Sequence, residues 1–305
     1  MKSTRKGRDL PMRKSTFFPA LALVLGAAAA GLRMWQRTAG YDVSGLPVRF
    51  AVPSVVLTAF LALCAGGALY LALRQPKTLE DQDAAQPRGN VPSMLLTAAG
   101  ALTLAAGVLN LLSFFQNYLS YSQVLYATQE EQQDALRAFL SSSLLTGVLA
   151  VACVPAAAAL LLRARGARSG EEKPKPFAVL MPSVLCWVWL IEVYRGHTSN
   201  PILWDYVLLL LAVVALLAAA YERAGFALGV GKPRRTVFSS LLALLLALAA
   251  LPDCGGIANA LILIALTLHA VAELTSLLSA LEYSPRRLAS DGPEPDSKED
   301  APHEQ

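Results

Sequence analysis

Apolar residues run along this chain in eight long stretches, 17–34, 51–73, 93–115, 138–162, 177–194, 202–221, 237–252 and 257–281, with most charged residues between them. A helix rises 1.5 Å per residue, so about 20 apolar residues cross roughly 30 Å of hydrocarbon. The stretches are continuously apolar rather than alternating, which argues against a spanning β-barrel. The pattern predicts an all-α fold, a polytopic transmembrane helical bundle of about eight spans, the seventh of them the shortest.

Composition agrees. The hydrophobic fraction is 55%, charged residues make up 16%, and mean hydropathy is +0.46, an excess of apolar over charged residues for a water-soluble domain. The net charge of +4 is no nucleic-acid signal, because the basic residues sit in the loops. Of the 26 Lys and Arg residues, 21 fall in the N-terminal arm, the even-numbered loops and the C-terminal tail. The remaining five are Arg33, Arg37, Arg49, Arg137 and Arg195. The positive-inside rule then predicts both termini on the cytoplasmic side of a bacterial-type inner or plasma membrane. Trp35, Trp187, Trp189 and Trp204 all fall toward the opposite face, at the headgroup depth that tryptophan prefers.

The chain divides into a basic arm (1–16), a first membrane half (17–162), a linker (163–176), a second half (177–282) and an acidic tail (283–305) expected to be disordered. Phe17–Leu25 can be laid beside Phe177–Leu185, which raises a four-plus-four duplication. An even number of spans per half makes it parallel, not inverted. Chance likeness of Leu/Ala-rich helices is the competing explanation. The first stretch also has the form of a signal peptide, with Ala27 to Gly31 as small residues near a cleavage point. Its length and the following Arg33 favour an uncleaved anchor. Residues 116–137 form the one sizeable outer loop. Thr128 and Glu131 make a capping-box pattern there, predicting that span 4 begins as a projecting helix near Gln129, with Tyr118, Tyr121 and Tyr126 at the interface.

Polar residues at membrane depth carry the candidate chemistry, since charges there cost a few kcal/mol each on insertion scales. His269 and Glu273 lie four apart on span 8 and share a helical face. Asn259 and Ser276 extend that stripe, and Asn110 of span 3 is a candidate to face it. Three readings stand open: a proton or cation path, two ligands of a metal site that would need more, or interhelical glue. A second candidate is the outer loop carrying Glu192, Arg195, His197, Trp204 and Asp205, read either as a pocket mouth or as an interfacial ion pair. Arg163, Arg165 and Arg168 are a candidate lipid-headgroup site, although a plain topology determinant explains them as well.

Other chemistry is thinly represented. Cys64, Cys153, Cys186 and Cys254 show no paired spacing, and no disulfide is expected. Gly229-Val-Gly231-Lys232 is too short for a phosphate-binding loop, and no hydrolase or metalloprotease motif occurs. No cofactor or resident metal is expected. The partners implied are the lipid bilayer and a small-molecule or ion ligand, with no nucleic acid. The sequence thus points to a transporter-like protein using the span 8 face. The alternative is a noncatalytic scaffold or sensor subunit that docks a protein partner through 116–137 or 288–305.

Overall fold

The structure is a computed structural model. It describes residues 14–42, 48, 50–79, 81–124, 133, 136, 139, 143–170, 175–197 and 205–290, with the backbone alone at 14, 123–124 and 283–290. The arm before 14, the tail beyond 290, Tyr126, Thr128, Gln129, Glu131 and Trp204 lie outside the described residues.

Among the described residues eight α-helices follow one another: α1 (Lys14–Ala39), α2 (Val52–Leu73), α3 (Asn90–Val124), α4 (Leu144–Ser169), α5 (Pro176–Gly196), α6 (Val207–Ala227), α7 (Pro233–Ala249) and α8 (Ile257–Ser290). Seven are long and apolar enough to cross a membrane; α7, with 17 residues, falls short of that length. Local chemistry sets several ends. Pro53, Pro176 and Pro233 open α2, α5 and α7, where a missing N–H costs nothing. Gly170 closes α4 at φ 74°, its N–H bonded to the Gly166 carbonyl, the left-handed cap that glycine adopts without strain.

Contacts at the helix ends establish how the helices alternate. At one end, the Ser15 N–H reaches Glu282 Oε1 at 2.9 Å, the Gly89 N–H reaches the Ala167 carbonyl at 2.9 Å, and Arg234 Nε reaches the Gln75 carbonyl at 2.7 Å. The start of α1 and the C-terminal part of α8 therefore share a face. It is called the basic face, because Arg74, Lys175, Lys232 and Arg234 lie there. At the opposite face, Arg33 near the end of α1 meets Asp253 in the 3-10 turn between α7 and α8.

Helices α7 and α8 form the centre. Helix α7 packs against α1, α2, α6 and α8; helix α8 also packs against α1, α3 and α6. This explains the short α7, most of whose residues are buried among other helices. Helix α2 is peripheral and turns Leu63, Leu69 and Leu73 outward, as a lipid-facing helix must. Hydrocarbon rewards close backbone approach more than apolar burial, and the α3–α4 contact follows that rule. Ser93, Leu96, Thr103, Ala106 and Asn110 line a buried stripe of α3. On the same stripe a Cβ placed on Gly107 would lie 2.8 Å from Cys153 Cβ.

Three boundaries differ from the sequence reading. Helix α3 continues to Val124, so residues 116–124 are helical rather than loop; Phe139 stacks on Tyr121 at 5.2 Å between centroids. Helix α4 continues to Ser169, so Arg163, Arg165 and Arg168 are helical rather than part of a linker. Helix α8 continues to Ser290, past the expected start of the tail. In each case the helix continues past the point where hydropathy falls. Where a four-plus-four duplication would pair α3 with α7, the two measure 35 and 17 residues.

Candidate functional site

Helix α8 buries one face along Ile262, Leu266, His269, Glu273 and Ser276, a three-and-four spacing that keeps these residues in line. Glu273, its side chain 1% exposed, is the hub. Arg163 of α4 pairs with its Oε1 and Arg223 of α6 with its Oε2. His269 Nδ1 stands 3.8 Å from Oε1, beyond hydrogen-bond reach. Arg223 also donates through Nη2 to the Ala85 carbonyl at 2.9 Å, tying the segment between α2 and α3 to the same point. One carboxylate thus joins three helices and a connecting segment. Glu273 lies 16 positions into α8, about 24 Å from its start, toward the basic face.

The charges do not cancel. Arginine stays protonated in proteins, so two positive groups oppose one negative group, all buried. Donors also remain unmatched: Arg163 Nη1 and Arg223 Nε and Nη1 have no hydrogen-bond partner, and neither does the ring nitrogen His269 Nδ1. Buried groups are usually paired, and unpaired ones mark strain or function. The cavity beside Glu273, His269 and Arg223 measures about 10 Å³, room for one water at most.

Sequence reasoning named His269 and Glu273 and missed their partners. Arg163 and Arg223 counted only as loop charges. The signal that finds them is periodicity: Arg163 continues the stripe Cys153, Ala156, Leu160, and Arg223 continues Ala212, Leu216, Ala219. Each stands where the next small core residue belongs, so each is buried.

Of the remaining candidates, Asn259 stands apart from the hub. Asn259 lies 14 positions before Glu273, about 21 Å along the helix. Ser276 gives its hydroxyl to the Ala272 carbonyl at 2.7 Å. Asn110 is buried with its Nδ2 unpartnered. Among the described residues no group of three His, Cys, Asp or Glu residues comes together to hold a metal, and Glu273 is engaged by two arginines. Cys153, Cys186 and Cys254 are buried and free, Cys64 half-buried and free.

The outer candidate resolves differently. His197 bonds through Nδ1 with the Val193 carbonyl at 2.8 Å and stacks on Tyr206 at 4.8 Å. Both contacts terminate helices. Glu192 is half-buried, Arg195 exposed and Asp205 half-buried. An ordered charge pair at this face is Arg33 with Asp253, which sequence reasoning did not single out. Arg33 Nε bonds Asp253 Oδ2 at 2.9 Å, Arg33 Nη1 bonds Gln36 Oε1 at 2.7 Å, and Gln36 Nε2 bonds Ser54 Oγ at 2.9 Å. Burial raises the Asp253 pKa, against the pull of Arg33 and Arg37. The chain of bonds clamps α1, α2 and the α7–α8 turn.

Comparison with family models, curated proteins and solved structures gives no match to this chain.

Proposed function

We propose that this chain is a transporter-like membrane protein for a small molecule or ion, with Glu273 as the lock of its cytoplasmic end. The observation that carries the reading is the convergence of Arg163 and Arg223 on one buried carboxylate. Charges at this depth are costly, and replacing a buried ion network by apolar residues is often neutral or stabilising. A static bundle has no need of three. A network that joins α4, α6 and α8 and leaves donors unmatched is a bistable element, which a conformational change can exchange for other partners. The small cavity beside it is the closed state of that lock.

The orientation rests on the lysine and arginine asymmetry, with the basic face cytoplasmic and both ends of the chain on it. Likeness of Phe17–Leu25 to Phe177–Leu185 supports the four-plus-four duplication. The test of function is electrical. Purified protein in liposomes on a solid-supported membrane is exposed to jumps of protons, sodium, chloride, phosphate, amino acids and sugars. A solute that drives a current in the wild type and none in Glu273→Gln supports the lock. Silence toward all of them, with Glu273→Gln only less stable, removes the transport reading.

A second reading has its own observation. Helix α3, 35 residues long, measures about 52 Å, well beyond the hydrocarbon, and Tyr118 and Leu119 are exposed at its far end. That end is the surface a docking subunit would use. Loss of a stoichiometric partner on Leu119→Asp is its test.

A further inference from the structure

A cavity of about 230 Å³ opens at the basic face between the end of α4, the first turn of α5 and the segment before α3. Gln86, Arg163, Arg165 and Lys175 line it, with Leu162 as an apolar wall, and among the described residues no acidic residue does. Gln86 is 5% exposed, and its Nε2 has no hydrogen-bond partner. Arg163 holds Glu273 through Nη2, while its Nη1 is unpartnered. Two buried donors and two accessible cations therefore line one concavity. The first turn of α5 adds the positive end of a helix of 21 residues.

We propose that this cavity binds a phosphate group. The chemistry is specific: a phosphate presents several acceptor oxygens with negative charge and takes planar donors from arginine. Gln86 and Arg163 would fix its oxygens, and Arg165 and Lys175 would supply charge at the rim. Leu162 is half-exposed beside the opening, which suits the acyl side of a lipid headgroup. A soluble phosphate presents the same oxygens, and the two sources are separated by experiment. Because Arg163 touches both this cavity and Glu273, an occupant draws on the guanidinium that holds the lock.

The test uses the full-length protein and two probes. Melting is followed in phosphatidylcholine nanodiscs with millimolar inorganic phosphate, and in nanodiscs of phosphatidylglycerol without it. Acetate at matched ionic strength is the screening control. The wild type is expected to be stabilised by at least one probe and not by acetate. The variant Arg165→Ala/Lys175→Ala should keep its melting temperature without ligand, yet bind on the order of tenfold or more weakly after losing two near-surface cations. Gln86→Leu should weaken binding with both rim cations in place. Stabilisation by phosphatidylglycerol alone identifies a lipid headgroup; stabilisation by phosphate in phosphatidylcholine identifies a soluble ligand. Stabilisation by neither probe, equal stabilisation by acetate, or an unchanged response in these variants overturns the proposal. Arg165 and Lys175 do not touch Glu273, so this result stands apart from the current measurements.

Discussion

Removing the Glu273 charge should damage the protein more than removing either arginine that binds it. Glu273→Gln leaves Arg163 and Arg223 buried near each other with no counter-charge. Breaking a buried pair from one side costs about 3–5 kcal/mol, here with two guanidiniums stranded. Arg163→Met instead leaves Arg223 and Glu273 as a neutral one-to-one pair, so its cost should be smaller. Arg223→Met should fall between the two, because it also abandons the Ala85 carbonyl, a further ~1 kcal/mol or so. The triple variant Glu273→Leu/Arg163→Met/Arg223→Met should recover much of the loss, since nothing charged remains buried. Cys153, Cys186 and Cys254 are buried and free, so a thiol-reactive dye reports unfolding directly. A loss of this size lowers the melting temperature on the order of 10 °C. If Arg163→Met melts below Glu273→Gln, or the triple variant is the least stable, Glu273 is not the hub.

Three further outcomes follow from the same structure. Asp253→Asn removes the carboxylate charge paired with Arg33, 0% exposed, and should cost about 3–5 kcal/mol in the same melt; Arg37→Ala, at an exposed position, should cost under about 1 kcal/mol. Gly107→Val should cost roughly 1–3 kcal/mol by overpacking against Cys153, whereas Gly66→Ala, with open space around its Cβ, should leave the melting temperature unchanged or raise it. Single cysteines at position 77 and in the tail beyond 290, in a chain freed of its own cysteines, should be blocked only by membrane-permeant thiol reagents in intact cells; labelling by an impermeant reagent reverses the orientation.

Hydropathy made the bundle legible because a membrane span needs only length and apolarity. It failed at the ends, where α3, α4 and α8 continue as helix past the apolar run. His269 and Glu273 were legible because a carboxylate and an imidazole four residues apart stand out against leucine and alanine. Their partners were not. Arg163 directly follows Leu162 at the end of an apolar run, and hydropathy there reads as a boundary. Only the packing of α4 and α6 around α8 turns that boundary charge inward. Asp253 was hidden for the same reason: a short turn between two helices reads as exposed until α1 lays Arg33 over it.

The most direct test of the account is the current from liposomes holding the wild-type protein or Glu273→Gln, both first shown to be folded by the thiol melt. The account predicts a solute-driven current in the wild type that the variant lacks. A current of equal size in the folded variant would contradict it, because Glu273 would then hold the helices together and do nothing else.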